Sequence, residues 1–262
     1  MLLKFNSEKR FKRKSGKKDY ILKQYCWEVE MFLEDVKKKQ ALRLAVIEKH
    51  AKNGVRFVDE MTAYIDERVV IGEGTVIGPC VTLEGSTEIG RDCFIGQNTV
   101  ITNSKVGDRT EIRSSVITDS IIGNETKVGP FAYLRPQSRI GSKCKIGDFV
   151  EVKNSTLGDG TKASHLTYIG DSDIGRDVNL GCGVVFVNYD GTNKYRSEVE
   201  DGAFIGCNSN LVSPVKVGKG AYIAAGSTVT KDVESDALYI ARSRGRELPG
   251  WVSARGILKK KK

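Results

Sequence analysis

Ile71, Ile77, Leu83, Ile89 and Ile95 stand six residues apart, and glycine follows all of them except Leu83. Small or β-branched residues recur four places after each: Thr75, Val81, Thr87, Cys93 and Thr99. The period slips by one near Val106 and near Ile122. It returns at Ile140, Ile146 and Val152, at Leu157 and Ala163, and at Ile205, Leu211, Val217, Ile223 and Val229. Between these runs, Ile169-Gly170, Ile174-Gly175 and Leu180-Gly181 repeat an aliphatic–glycine pair at steps of five and six. A six-residue step fits neither the 3.6-residue helix nor the heptad, and sandwiches or barrels place strands every 8–12 residues. Hexapeptide repetition predicts a parallel β-helix over about residues 65–235. One aliphatic residue per short strand points into a narrow core, glycine permits the tight corner, and each coil pairs its backbone with the next.

Upstream the period changes. Val29, Phe32, Leu33 and Val36 fall at helical spacing, and Leu42, Ala45 and Val46 continue it, so one or two helices are predicted between Cys26 and His50. Asn53-Gly54 supplies the usual stop, with glycine in the left-handed position. Beyond Val233 the repeat ends, and Tyr239-Ile240-Ala241-Arg242 with Pro249-Gly250-Trp251 is expected to cap the last coil. The expected organisation is therefore a basic segment without structure over 1–24, a helical arm over 25–55, a β-helix domain with its cap over 56–252, and a basic tail over 253–262.

Charge sharpens this division. The chain of 262 residues carries a net charge of +9, but residues 1–24 hold +7 and Lys259–Lys262 hold +4, which leaves −2 for the rest. The body is not basic; its ends are. No aromatic interleaving or nucleic-acid module accompanies the basic ends, so they are read as solvated extensions and neither nucleic acid nor membrane is an expected partner. The six cysteines form no CxxC pair and several replace small residues of the repeat, which reads as free thiols in a reducing compartment. No apolar run reaches the length of a membrane span and no secretory signal is evident, so the cytoplasm is the expected location.

Candidate chemistry gathers over residues 164–194, SHLTYIGDSDIGRDVNLGCGVVFVNYDGTNK. His165 is one of two histidines in the chain and takes the third place of the hexad ASHLTY, which does not face the core. Two histidines, with His50 in the helix, exclude a γ-type carbonic anhydrase, which needs three zinc-binding histidines. Asn188-Tyr189-Asp190-Gly191 interrupts the repeat with a turn-forming loop. Taken alone, Arg135, Lys153 and Lys194 are as consistent with ordinary surface charge, and Tyr168 and Asn179 with turn-facing polar residues.

The stretch GPFAYLRP…GDFVEVKNSTLGDGTKASHLTYIGD…NYDGTNK…FIGCNSNLVSPVKVG…YIAAGSTVTKDV closely resembles the C-terminal domain of the bacterial bifunctional enzymes of UDP-N-acetylglucosamine biosynthesis, from about residue 40 to Trp251. In that hexapeptide-repeat family a glucosamine-1-phosphate acetyltransferase is fused to an N-acetylglucosamine-1-phosphate uridylyltransferase. The resemblance implies an all-β, left-handed parallel β-helix with a short N-terminal helical segment, assembled as a homotrimer with each site between subunits. It implies His165 as the catalytic base. Arg135 and Lys153 would hold the sugar phosphate, Tyr168 and Asn179 the sugar, and Lys194 would be a further substrate-binding lysine. Asn188 and Tyr189 would touch acetyl-CoA, as would Cys182, Cys207, Ala225 and Arg242. Many relatives have Ala and Ser in place of Cys182 and Cys207; a backbone contact survives such a change, whereas a hydroxyl contact at Cys207 does not. The GxGTRM-type loop of the uridylyltransferase half has no counterpart here. The expectation is therefore the acetyltransferase alone, with acetyl-CoA as cosubstrate, no metal, and uridylyl transfer left to a separate protein. Two alternatives stay open: an acyltransferase for another amino sugar, and a catalytically silent, truncated hexapeptide scaffold.

Overall fold

The computed structural model describes residues 16–256. The chain divides into two units, Met1–Val46 and Ile47–Lys262. The first is helical. Helix α1 runs over Gly16–Lys52, so its final turn and a half belongs to the second unit. It begins inside the segment expected to lack structure. Apolar periodicity is weak there, but no proline interrupts residues 16–52 and Lys, Leu, Gln and Glu are strong helix formers, so propensity extends the helix beyond its amphipathic part. The basic residues 1–15 and 257–262 lie outside the described residues. Trp27, Phe32 and Leu33 are exposed. The helix stops at Asn53-Gly54 as expected: Gly54 takes φ +84° and its N–H donates to the Ala51 carbonyl at 3.1 Å. Near this end His50 is buried with no partner on Nε2, and burial pushes its imidazole pKa down.

From Arg56 to Tyr239 the backbone winds through three parallel sheets of eleven, ten and nine strands, and strands pair with the third one before and after them until the last, Leu238–Tyr239, which pairs with the second one before it. This is the left-handed parallel β-helix that the hexad period and the resemblance imply. Each sheet contributes one column of inward side chains, such as Ile77, Ile95, Ile112, Val128 and Ile146 in the first, all essentially sealed from water. One inward residue per strand explains why strands of two to four residues suffice. The slips in the period are shorter coils. Ile77 pairs with Ile95 eighteen residues on, Ile95 with Ile112 seventeen on, and Ile112 with Val128 sixteen on. The core column stays aligned because residues are omitted at corners rather than in strands.

The small residues four places after each aliphatic form a second buried column that links coils by hydrogen bonds. Thr75 Oγ1 donates to the Gly90 carbonyl at 2.8 Å and accepts from the Cys93 N–H at 3.1 Å. Thr110 and Thr126 reach Gly123 and Gly141 in the same way. Cys93 and Cys144 occupy this column, and each thiol donates to a carbonyl one coil on at 3.2 Å. Both stand where a threonine hydroxyl otherwise sits. Burial pushes the Cys144 thiol up to about 11 and raises Cys93 too, so neither supplies a thiolate at neutral pH. After the last full coil, Leu238–Tyr239 extends the first sheet by pairing with Tyr222–Ile223, and a short helix, α2, follows at Trp251–Ala254.

Candidate active site

Asp148 and His165 stand at the second place after the inward aliphatic, where the strand turns out of its sheet. In the first sheet, Ile146-Gly147-Asp148 lies against Ala163-Ser164-His165, and Asp148 and His165 are register partners on consecutive coils. His165 Nδ1 lies 2.6 Å from Asp148 Oδ1. The carboxylate fixes the tautomer: Nδ1 carries the proton and donates it in the hydrogen bond, which leaves the Nε2 lone pair facing outward. The His165 side chain is 53% exposed, open to a substrate rather than packed as a structural histidine. A hydrogen bond from its own backbone N–H, and then His165, hold the Asp148 carboxyl below the usual carboxylate range.

The approach of these coils depends on Gly147. A Cβ built there would come within 1.9 Å of the Ser164 carbonyl oxygen, so any side chain would push the two coils apart beside the Asp148–His165 pair. The corner residues that follow, Phe149 and Leu166, take the left-handed conformation at φ +55° and +48°, as does Phe131 one coil earlier at +60°. Phe131 and Phe149 stack with ring centroids 5.5 Å apart, and both, with Leu166, are exposed. An apolar ridge therefore borders the histidine.

The second sheet carries the cations. Arg135 Nη1 donates to Glu151 Oε1 at 2.7 Å, and its guanidinium lies 5.9 Å from the centre of the Tyr133 ring. The Lys153 ammonium is 3.8 Å from Asp171 Oδ2. Lys194, at the end of the inserted loop, lies near Lys153. That proximity, with burial, lowers the Lys153 pKa against the opposing pull of Asp171. Tyr168 is in register with Glu151, one coil on. Its hydroxyl and the Asn188 amide converge over Gly170, where a Cβ would meet them at 2.4 and 2.7 Å. The loop itself is folded: Tyr195 N–H donates to the Asn188 carbonyl at 2.9 Å, and the Tyr189 hydroxyl closes on the Gly191 carbonyl at 2.6 Å.

Arg135, Lys153, Tyr168, Asn188 and Lys194 are thus brought together on one side of the prism. Asn179 is not among them. It lies in the first sheet, in register with Lys162 and Phe204. Cys182, Cys207 and Ala225 continue the Asp148–His165 column along the corner between first and second sheets, and Arg242 follows it. The Asn208 N–H donates to the Cys182 carbonyl at 2.8 Å, the Gly226 N–H to the Cys207 carbonyl at 2.8 Å, and Arg242 Nη1 to the Ala225 carbonyl at 3.0 Å. Such a column offers an elongated ligand a line of backbone groups ending at a guanidinium.

Sequence reasoning missed Asp148, Glu151, Asp171 and Gly170. A signal for the first existed: Asp148 and His165 share the same offset from the inward residues Ile146 and Ala163, once the seventeen-residue coil is recognised.

Known proteins match this chain in the same terms. Residues 60–130 match the model of the GMPPB C-terminal domain, and residues 119–154 and 196–231 match that of the bacterial transferase hexapeptide (six repeats). The chain is 56% identical over 216 residues to the "Bifunctional protein GlmU" of Clostridioides difficile (strain 630), covering 82% of this chain and 47% of that protein. It is 52% identical over 221 residues to the protein of the same name from Geobacillus sp. (strain WCH70), covering 84% of this chain and 48% of that one. A solved UDP-N-acetylglucosamine acyltransferase of Francisella novicida aligns with a TM-score of 0.46 at 20% identity, covering 69% of this chain and 65% of that one. The chain spans about half the length of the curated relatives it matches. With this solenoid and these matches, the chain belongs to the hexapeptide-repeat transferases, in the branch that the bifunctional GlmU proteins represent.

Proposed function

We propose that this protein transfers the acetyl group of acetyl-CoA to the amine of glucosamine-1-phosphate. The observation that carries the reading is the Asp148–His165 pair, with Nε2 free and outward, within the run of four coils that presents Arg135, Lys153 and Lys194. An amine must lose a proton as it attacks a thioester, and a phosphorylated sugar needs cations. The site offers a base for the first and three cations for the second.

In the proposed step the amine nitrogen attacks the thioester carbonyl carbon and a C–N bond forms. His165 Nε2 accepts the proton the amine releases, and Asp148 stabilises the resulting imidazolium. The tetrahedral intermediate collapses with cleavage of the C–S bond, and the imidazolium returns its proton to the departing thiolate. Arg135, Lys153 and Lys194 bind the phosphate. Tyr168 and Asn188, converging over Gly170, hold the sugar and the acetyl donor. The Cys182–Cys207–Ala225–Arg242 column suits the long CoA arm, with Arg242 available to a phosphate; this contact uses backbone groups and so tolerates cysteine.

A homotrimer is part of the proposal. The histidine faces outward, Asn179 lies in the first sheet away from the cations of the second, and Phe131, Phe149 and Leu166 are exposed, so a neighbouring copy would supply the missing wall and exclude water. The test is thiol release from acetyl-CoA. Glucosamine-1-phosphate is expected to be turned over and free glucosamine to be a poor substrate. No release with any amino-sugar phosphate would overturn the reading.

A further inference from the structure

Asp171 takes no part in the proposed chemistry, yet it is the only buried carboxylate among the described residues, at 8% exposure. It stands at the corner after the second sheet, in the middle of a column at one offset from the inward residues Val152, Ile169 and Phe186. That column is Asn154, Asp171 and Asn188. The Asn154 Nδ2 donates to Oδ1 at 2.6 Å and the Asn188 Nδ2 donates to Oδ2. Its backbone completes the tie: the Asp171 N–H donates to the Lys153 carbonyl at 3.0 Å, and its carbonyl accepts from the Ser197 N–H at 3.2 Å. Asn188 and Ser197 bracket the inserted loop that delivers Lys194. In earlier coils the same corner is held by Asn103 and Asp119, both exposed. Only here is the carboxylate covered, and the cover is the loop side: Arg196 pairs with Asp173 and donates to the Asn154 carbonyl at 3.0 Å.

A buried carboxylate is costly unless hydrogen-bonded and paired, and this one has two amides and an ammonium. It also answers a problem the cation site poses. Two ammonium groups within reach of each other repel unless a negative charge lies between them or a ligand brings one. Asp171 Oδ2 is 3.8 Å from Lys153 Nζ, and Lys194 lies on the same side.

We infer that Asp171 is a positioning residue for phosphate binding: it anchors both ends of the Asn188–Ser197 loop and is the fixed counter-charge that lets Lys153 and Lys194 face one anion together. The inference rests on the proposed use of those lysines. The charged groups facing Lys153 are Lys194 and Arg135, with Glu151 on Arg135, and Asp171 itself. Phosphate affinity falls as pH rises and Lys153 loses its proton. Removing the negative charge of Asp171 moves that fall to lower pH.

The experiment is calorimetric titration of the full chain with inorganic phosphate at several pH values between about 6 and 10. Asp171→Asn is expected to weaken binding roughly tenfold at neutral pH and to shift the alkaline fall downward. Asp171→Glu keeps the charge and restores the pH of the fall, if not the full affinity. Equal, parallel losses for both variants at every pH would make the role merely structural and overturn the inference, as would an unchanged Asp171→Asn profile. Should Asp171→Asn fail to melt cooperatively, Lys194→Met replaces it: with one ammonium gone, Lys153 holds its charge longer and the fall moves up, and a fall that stays put overturns the inference. Absence of phosphate binding by the unaltered chain overturns it while leaving thiol release to judge the transfer reaction. Conversely, an Asp171-dependent phosphate site in a chain that releases no thiol upholds the inference and sinks the acetyltransferase reading.

Discussion

The coils around residues 71–114 and those around 127–199 share one cross-section, yet they differ at their corners and outward charges. In the earlier coils the left-handed corners between first and second sheets hold Cys80, Asn98 and Ser114, small or polar residues suited to positive φ. In the later coils the same corners hold Phe131, Phe149 and Leu166, bulky and exposed. Outward charges in the earlier coils pair within the surface, as Lys105 does with Glu88 at 2.9 Å. In the later coils they converge, with Lys153 and Lys194 side by side. The inward columns do not register the change: Ile95 and Ile146 are equally sealed. A hexapeptide solenoid separates its two tasks by direction. Inward positions specify the fold, and outward and corner positions are free to vary without disturbing it.

The sharpest break between the regions is functional. His165→Ala is expected to lower kcat by about 10²–10⁴-fold with less change in KM, read by thiol release. Lys105→Ala, an exposed pair in the regular coils, is expected to leave both unchanged. Equal rates for His165→Ala and the unaltered chain would remove the distinction.

A second contrast concerns packing. Gly96 and Gly147 occupy the same place after the inward isoleucine. A Cβ at Gly96 meets first a side-chain atom of Phe94 at 3.1 Å, whereas one at Gly147 meets the Ser164 carbonyl at 1.9 Å. Gly147→Ala is expected to destabilise by about 2–4 kcal/mol and Gly96→Ala by under about 1 kcal/mol. Comparison of thermal midpoints decides it; similar shifts would mean the Gly147 coil relaxes freely.

The smallest effect concerns the corners. Leu166→Asn places a residue tolerant of positive φ where leucine is strained, and little burial is lost because Leu166 is 57% exposed. The isolated chain is expected to gain up to about 1 kcal/mol, a rise in Tm of about 2–4 °C. Sedimentation of the same variant is expected to show weaker association, since the ridge is the wall a neighbouring copy would cover. A lower Tm with unchanged association would place Leu166 among ordinary packing residues.

The sequence by itself determined the β-helix, because one buried aliphatic per strand leaves a period that no other architecture produces. It also placed the helix stop at Gly54, and it exposed His165 as an outward imidazole through its place in the hexad. Which outward residues meet was decided only by the tertiary structure. Regular coils here advance by sixteen, seventeen or eighteen residues, the coil with the inserted loop advances by twenty-five, and register across a parallel sheet depends on where each corner drops or gains residues. Asp148 and His165 pair because their coil has seventeen residues; a coil of eighteen would set His165 beside Gly147 instead. Lys194 comes near Lys153 across forty-one residues through the inserted loop, whose Asn188 hydrogen-bonds Asp171. Hydrophobic period records what each residue does toward its own coil's core. Contacts between coils are set by the sum of corner lengths, and no single repeat carries that sum.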